Sequence, residues 1–133
     1  MDAVILAGGR GSRLGSLTKS TPKPMIKIGG KPILWHILKI LDAYGIKNFI
    51  ICLGYKGNVI KEYLKTIKRK DWKINCVNTG KDTLTGRRLY LVKDKIKSEN
   101  FLMTYGDGLA NINIKKLIKT HYKKKKLATV TAV

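Results

Sequence analysis

Residues 2–25 read DAVILAGGRGSRLGSLTKSTPKPM, a short apolar run followed by a long basic loop that is rich in glycine. An uninterrupted apolar run such as residues 2–7 is typical of a strand buried on both faces of a parallel sheet. Glycine-rich, cationic loops after such strands usually hold phosphate, because glycine lets the backbone approach a ligand and point amide groups at anionic oxygens. The stretch therefore predicts a phosphate site that follows the first strand.

Apolar runs and amphipathic stripes alternate along the rest of the chain. The apolar runs predict four more strands, at residues 47–54, 73–77, 100–108 and 127–133. The stripes predict helices at residues 31–45, 58–69, 87–96 and 112–125. This alternation indicates an α/β fold, a Rossmann-like open and mainly parallel sheet with helices on both faces. The length of 133 residues suits one domain with its own core.

The helical stripes also predict which side chains face the core. In the helix at 58–69 the inward residues are Val59, Ile60, Tyr63, Leu64 and Ile67. In the helix at 112–125 they are Leu117, Ile118 and Tyr122. Pro32 suits the first turn of the helix at 31–45, and Gly45 suits its end.

The chain is strongly basic, with a formal net charge of +20 from 28 basic and 8 acidic residues. Such a charge raises nucleic acid as a partner. However, the basic residues are 23 Lys and only 5 Arg, whereas base readout and forked phosphate contacts prefer arginine. We therefore interpret most of the charge as a solvated, lysine-rich surface and do not favour nucleic acid.

The apolar runs and the cysteines indicate the cellular compartment of the protein. No run approaches the roughly 18 apolar residues of a membrane-spanning helix, so no membrane partner is expected. Cys52 and Cys76 lack a C-x-x-C spacing and fall in apolar runs, which is typical of small core residues. We expect a reduced, cytoplasmic setting.

Two familiar phosphate motifs fail in the glycine-rich loop. The dinucleotide fingerprint G-x-G-x-x-G needs a glycine where Leu14 stands. The P-loop needs a lysine where Ser16 stands. What remains is a long loop with glycines at its base, an Arg13 that can fork onto a polyphosphate, and a Lys23 whose backbone is restricted by a proline on each side.

Asp107 is the candidate metal ligand. It follows the fourth predicted strand in the segment TYGDG. In the usual 3-2-1-4 strand order, strands one and four are neighbours, so Asp107 and the glycine loop would meet at the carboxyl end of the sheet. One carboxylate beside substrate phosphates suits Mg²⁺. The alternative is an ordinary Asp-Gly turn.

Several segments together carry a family resemblance. AVILAGGRGSRL (3–14) resembles the G-x-G-x-R-L signature of sugar-phosphate nucleotidyltransferases, and TPKPM (21–25) resembles their second, lysine-bearing signature. Within that family, further segments are similar to the glucose-1-phosphate cytidylyltransferases: KPILWHILK, FIICLGYKGNVIKEY, VNTG, LTGRRL, LMTYGDG and LATVTAV. The similarity runs in order along nearly the whole chain.

The resemblance implies a reaction and a set of site residues. CTP and α-D-glucose 1-phosphate would give CDP-glucose and pyrophosphate with the help of Mg²⁺. Arg13 and Lys23 would be catalytic, and Asp107 would hold the metal. Residues that would border or hold the nucleotide are Leu6, Ala7, Gly8, Gly9, Gly11, Ser12, Arg13, Lys23, Thr85 and Gly86. Family members are about twice this length, so residues 1–133 would form the N-terminal nucleotide-binding and catalytic part, with the sugar-binding half elsewhere.

Other interpretations stay open at this point. The same loop and Asp107 would serve a sister enzyme that uses UTP, dTTP or GTP, and the chain could instead be a non-catalytic nucleotide-binding module. Ser12, Asn78 and Arg87 stand where the family usually has threonine, aspartate and glycine. His36 and His121 have no carboxylate at triad-like spacing, so we interpret them as structural or surface residues. A homo-oligomer is also left open.

Overall fold

The computed structural model of the chain describes residues 1–9 and 20–132. Four parallel strands form the central sheet, and two short strands form a separate hairpin. In chain order the strands are β1 (Asp2–Ala7), β2 (Lys27–Ile28), β3 (Lys31–Pro32), β4 (Asn48–Leu53), β5 (Lys73–Asn78) and β6 (Phe101–Tyr105). The order in the central sheet is β5-β4-β1-β6, so the predicted 3-2-1-4 arrangement of parallel strands is confirmed.

The described residues contain four α-helices, of which the first three lie between strands and the fourth follows the last strand. They are α1 (Ile33–Ala43), α2 (Gly57–Lys65), α3 (Thr85–Leu91) and α4 (Ile114–Lys124). A short 3-10 turn covers Lys23–Met25 before the hairpin, and another covers Lys93–Lys95 after α3. Helix α1 ends as predicted, because Gly45 just beyond it adopts a φ of +80°, which costs glycine little.

The strands are aligned so that their carboxyl ends lie side by side. Leu6 in β1 is level with Cys52 in β4 and with Tyr105 in β6. The segments that leave β1, β4 and β6 therefore begin at the same edge of the sheet. This is the edge where open α/β sheets bind their ligands.

Both faces of the sheet are covered by apolar side chains, but not equally. The larger cluster lies under α1 and α2 and includes Ile5, Leu34, Leu38, Phe49, Ile51 and Ile60. The smaller cluster lies on the opposite face and includes Val4, Leu6, Ile50, Cys52 and Val92. The alternation of inward residues along β1 assigns its odd positions to the first face and its even positions to the second.

Cys52 is a core residue, as predicted, and burial raises the pKa of its thiol to about 11. Cys76 is only half-buried and packs at the margin of the larger cluster. His36 bonds the carbonyl oxygen of Ile28 through Nε2 at 2.9 Å. His121 bridges Asn100 and Thr129 with one ring nitrogen each, at 2.9 Å. These contacts fit the interpretation of both histidines as structural residues.

Three predictions about the elements are wrong. Residues 127–132 form no strand: Leu127 is 107% exposed and Val130 is 86% exposed. A β-rich sequence forms a strand only where it pairs and packs, and no strand of the described chain pairs with this segment. The helix expected at 58–69 ends at Lys65, and the one expected at 87–96 is α3 followed by a 3-10 turn.

Two predicted core residues also face solvent. Val59 is 44% exposed on the outer side of α2, and Tyr122 is 53% exposed near the end of α4. Each lies at the margin of its helical stripe, where a small rotation of the helix decides whether the side chain reaches the sheet. Among residues 1–9 and 20–132, none of the helices has the length and apolar content that crossing a bilayer requires.

Candidate active site

A cavity of about 220 Å³ opens at the carboxyl end of the sheet, where β1, β6 and the segment before α3 meet. The lining residues are Leu6, Ala7, Gly8, Gly9, Lys23, Pro24, Thr83, Leu84, Thr85, Arg88, Tyr105 and Asp107. The cavity therefore gathers residues from distant parts of the sequence at one place.

Lys23 is held as the sequence predicts. Its two neighbours, Pro22 and Pro24, are buried, while Lys23 itself is partly exposed. The three residues from Lys23 to Met25 form a 3-10 turn in which Met25 N–H donates to the carbonyl oxygen of Pro22 at 2.8 Å. The backbone under the ammonium group is thus fixed by two rings and a turn.

Asp107 is in direct contact with Lys23, and both residues line the cavity. The distance from Lys23 Nζ to Asp107 Oδ2 is 2.6 Å, and the two side chains are 36% and 29% exposed. The preceding Gly106 donates its N–H to the carbonyl oxygen of Leu6 at 2.9 Å, which continues the pairing of β6 with β1. A Cβ at Gly106 would lie 3.0 Å from Ala7 Cβ and 3.2 Å from Pro24 Cγ, so this close approach favours glycine.

Arg88 was missed by the sequence reasoning, and it organises the back of the cavity. Arg88 is 5% exposed, and its guanidinium donates to oxygens at the carboxyl ends of three strands, β1, β4 and β5. The acceptors are Gly8 O, Leu53 O, Thr79 Oγ1, Gly80 O and Lys81 O. Burial lowers the pKa of the guanidinium from its ordinary value, while electrostatic interactions with Cys52 and Asp82 act in the opposite direction.

One signal in the sequence could have found Arg88. It lies four residues before Val92, which is fully buried in the smaller core cluster. Residues four apart share a helix face, so the stripe that buries Val92 also turns Arg88 inward. Its neighbour Arg87 is exposed instead, and its guanidinium lies 4.9 Å from the ring centre of Tyr90.

The structure brings together most of the predicted site residues. Those that line the cavity are Leu6, Ala7, Gly8, Gly9, Lys23, Thr85 and Asp107. Gly86 is exposed on the first turn of α3 and is not among the lining residues. Gly11, Ser12 and Arg13 lie outside the residues that the structure describes.

The possible ligands in the cavity fit a magnesium ion that is held by one carboxylate together with water and substrate phosphates. Asp107 contributes a partly exposed, hard carboxylate oxygen that already faces a cation, the ammonium of Lys23. The described residues contain no group of three or more His, Cys, Asp or Glu side chains that could enclose a metal. A single carboxylate suits Mg²⁺, which is usually held by one or two carboxylates together with water and substrate phosphates.

Comparison with known proteins agrees with this geometry. The sequence profile of the family described as Nucleotidyl transferase matches residues 2–133. A glucose-1-phosphate cytidylyltransferase of Salmonella typhimurium is 47% identical over 154 residues, which cover 99% of this chain and 60% of that protein. Mannose-1-phosphate guanylyltransferase 1 of Arabidopsis thaliana is 31% identical, over 91% of this chain and 35% of its own length.

A solved structure has the same fold. HddC from Yersinia pseudotuberculosis, complexed with GMP-PN, is similar with a TM-score of 0.78 and 30% identity, over 90% of this chain and 53% of that one. The chain thus spans about 60% of the curated cytidylyltransferase and about half of the solved protein. With a family profile that matches nearly every residue and a parallel sheet of the same topology, the chain belongs to the nucleotidyl transferase family.

Proposed function

We propose that the chain is the nucleotide-binding and catalytic part of an enzyme that transfers a cytidylyl group from CTP to α-D-glucose 1-phosphate. The products are CDP-glucose and pyrophosphate. The observation that carries the proposal is the pair of Lys23 and Asp107, 2.6 Å apart on the cavity that Gly8 and Gly9 line. The identity of 47% with a cytidylyltransferase of Salmonella typhimurium supports CTP and glucose 1-phosphate among the possible substrates.

The reaction is a displacement at phosphorus. A phosphate oxygen of glucose 1-phosphate forms a bond to the α-phosphorus of CTP, and the bond from that phosphorus to the bridging oxygen of the β-phosphate breaks. Pyrophosphate leaves with the electron pair of that bond. Little covalent chemistry falls to the protein in such a transfer, so positioning and electrostatic stabilisation supply the rate.

The residues of the cavity suit these two tasks. The ammonium of Lys23 stabilises the negative charge that develops on the phosphates, and its rigid backbone keeps it in place without reorganisation. The backbone of Gly8 and Gly9 allows the nucleotide a close approach. Gly11, Ser12 and Arg13 hold the triphosphate, with Arg13 on the departing pyrophosphate. Thr85 and Gly86 at the start of α3 contact the base.

Asp107 is the residue of this chain that would hold Mg²⁺, which when bound offsets charge on the phosphates of the nucleotide. Before a nucleotide binds, Asp107 is paired with Lys23. Phosphate oxygens compete with the carboxylate for the ammonium, so binding of the nucleotide releases Asp107 oxygens for a cation.

We further propose that the sugar-binding half of the enzyme lies outside this chain. The support is that the chain covers 60% of the curated cytidylyltransferase that it matches. We expect the isolated chain to be inactive or very weak in releasing pyrophosphate from CTP and glucose 1-phosphate. Robust release by the isolated chain would contradict this division of the enzyme. The cytoplasmic setting stays a prediction.

The main alternative is that the enzyme uses a different nucleotide in place of CTP. The related HddC was solved with GMP-PN, and the related Arabidopsis protein is a guanylyltransferase, so the test includes a purine nucleotide beside the pyrimidine nucleotides. Calorimetric titration of the protein with CTP, UTP, dTTP and GTP tests the choice of base. We expect the tightest binding for CTP. Tighter binding of another nucleotide would replace CTP in the proposal, and no binding of any of the four would remove it.

A further inference from the structure

The outer edge of β5 is open in the part of the chain that the structure describes. The sheet runs in the order β5-β4-β1-β6, so β5 has a neighbouring strand on one side only. Lys73 N–H donates to the carbonyl oxygen of Lys47, which precedes β4, at 2.8 Å. Successive residues of a strand direct their backbone groups to opposite sides, so the N–H and C=O groups of Ile74 and Cys76 point away from β4. An additional strand would pair with these groups.

A groove of about 850 Å³ follows this edge and reaches both faces of the sheet. On the face of the larger core cluster it is lined by Leu64 and Ile74. On the opposite face it is lined by Ile50, which belongs to the smaller cluster. None of its lining residues also lines the cavity that holds Lys23 and Asp107. The groove is therefore a separate feature of the surface.

Exposed lysines surround the groove on both faces of the sheet. They are Lys61, Lys65, Lys73, Lys95 and Lys97. The first two belong to α2, which covers the larger cluster, and the last two flank Ile96, which packs against the smaller one. Lys65 is paired with Glu62 at 2.7 Å, and the other four form no ion pair with the described residues. Both faces thus carry positive charge without a partner.

One carboxylate also lines the groove, and it is turned inward. Asp2 is 6% exposed, and its Oδ2 accepts hydrogen bonds from the backbone N–H groups of Lys97 and Ser98 at 2.6 and 3.0 Å. The backbone therefore holds this carboxylate. Because the lysines outnumber it, the groove stays positive.

The other edge of the sheet has a different character. Phe101 and Met103 on β6 are 36% and 45% exposed, and they share a cavity with residues 127–131 in which no described lysine takes part. Lysines at an edge deter pairing between copies of a chain, because like charges would meet. A second copy is therefore a poor partner for β5, whereas a strand that carries carboxylates is a favourable one.

We propose that the edge of β5 is a docking site for an extended acidic segment of another protein, which adds to the sheet as a further strand. Pairing with the backbone of Ile74 and Cys76 supplies affinity, as in other complexes formed by strand addition. Side chains of an added strand point alternately to the two faces, so its carboxylates would reach the lysines on both. Nucleic acid would use the lysines but not the open backbone. The proposal does not depend on the nucleotide chemistry at the carboxyl end.

The first test uses the fluorescently labelled peptide acetyl-TEEVEET-amide, which carries carboxylates on both faces of a strand. We expect its anisotropy to rise with added protein and the affinity to fall as salt increases. The same peptide with every backbone nitrogen methylated keeps its charges and loses the donors of a strand, so it should bind about tenfold more weakly or worse. Absence of binding by the first peptide would overturn the proposal. Equal binding of the two would also overturn it, because it would indicate a general surface for polyanions.

The second test removes charge from the groove. Lys61→Gln combined with Lys97→Gln takes one lysine from each face, and Lys115→Gln combined with Lys119→Gln takes two exposed lysines from α4, outside the groove. We expect the groove variant to bind the acidic peptide about fivefold more weakly or worse, and the α4 variant to stay within about twofold of the unsubstituted protein. Equal losses in the two variants would mean that only the net charge matters, and the proposal would fail.

Hydrogen exchange locates the bound peptide. The amides of Ile74 and Cys76 should exchange more slowly when the peptide is present. At the other edge Gly106 N–H donates to the carbonyl oxygen of Leu6, so Met103 directs its amide outward, and its exchange rate should not change. Protection of Met103 in place of Cys76, or protection of neither, would contradict docking at β5.

Discussion

The two ends of the sheet use charge in different ways. At the amino end, Asp71 accepts hydrogen bonds from Lys47 Nζ at 2.6 Å and from Arg69 at 2.9 and 2.8 Å. At the carboxyl end, Asp107 has one ion-pair partner among the described residues, Lys23. The amino-end carboxylate is saturated with donors, whereas the carboxyl-end carboxylate can exchange its partner for a ligand.

The two arginines make the same distinction. Arg69 bonds two carboxylates, Asp71 and Asp42, and its hydrogen bonds hold the pKa of Asp71 below its ordinary value. Arg88 bonds only carbonyl and hydroxyl oxygens at the opposite end. A network of ion pairs stabilises structure, whereas a guanidinium that is hydrogen-bonded to backbone oxygens beside a glycine-lined cavity suits a site for an anionic ligand. Four predictions test this comparison.

The largest effect is expected at the exchangeable pair. Lys23→Ala and Asp107→Asn should each lower turnover in the full-length protein by about 10²-fold or more, as for the loss of one transition-state contact. The measurement is pyrophosphate release from CTP and glucose 1-phosphate. Lys47→Ala removes an ammonium with an equally short ion pair from the amino end and serves as the control. Unchanged turnover in either site variant would exclude that residue from the mechanism.

A glycine of the carboxyl end should be the most sensitive to an added methyl group. A Cβ at Gly54 would lie 2.5 Å from the carbonyl oxygens of Gly8 and Gly80. Because these are backbone atoms, we expect Gly54→Ala to lower the free energy of unfolding by at least about 2 kcal/mol. At Gly108 a Cβ would meet nothing within 4 Å, so Gly108→Ala is the matched control. Chemical denaturation measures both, and equal stability of the two variants would contradict the packing described here.

Asp2, at the amino end of the sheet, should make the stability of the fold depend on pH. Asp2 is buried, and although burial acts to raise the pKa of its carboxyl, hydrogen bonds from the backbone N–H groups of Lys97 and Ser98 outweigh it and leave that pKa lowered. Asp2→Asn should therefore lower the free energy of unfolding at pH 7 by about 1–2 kcal/mol.

The sign of the pH effect follows from the lowered pKa. A carboxyl whose pKa is lower in the folded state stabilises the fold above its unfolded pKa of about 3.9, and this contribution is lost as the pH falls through the folded pKa. The difference between the unsubstituted protein and Asp2→Asn should be constant near pH 7 and shrink below about pH 4. Denaturation curves across this range measure it, and a difference that grows on acidification would refute the assignment.

The smallest effect is expected away from both ends. Lys65 and Glu62 form an ion pair at 2.7 Å on the surface of α2, and both side chains are largely exposed. Lys65→Ala should change the free energy of unfolding by less than about 0.5 kcal/mol, because solvent and salt screen such pairs. A larger loss would mean that an exposed ion pair contributes to stability here simply because it is short. The contrast drawn between the two ends of the sheet would then have no basis.

The sequence predicted the strands of the central sheet better than it predicted the end of the chain. The strands β1, β4, β5 and β6 and their parallel order were predicted, because uninterrupted apolar runs and helical stripes are local signals. The segment at 127–133 has the same kind of apolar, β-branched composition, yet residues 127–132 form no strand. Composition shows that a segment can form a strand, but only a neighbouring edge makes it one.

The same limit applies to the candidate site. The position of Asp107 after the fourth strand was enough to predict that it meets the glycine loop, since the carboxyl ends of neighbouring parallel strands lie together. Arg88 was missed, because its partners come from the carboxyl ends of three different strands, β1, β4 and β5. Nothing in the residues beside Arg88 indicates those partners.

By itself, the sequence determined the alternation of strands and helices, the rigid backbone around Lys23 and the glycines at the end of β1. These depend on spacing and on the conformational limits of single residues, which act locally. Only the tertiary structure decided that Lys23 pairs with Asp107 and that Arg88 rather than Arg87 is buried. It also decided that residues 127–132 form no strand. Those outcomes depend on which atoms of distant segments come within contact distance, and that is fixed by the register and packing of the whole sheet.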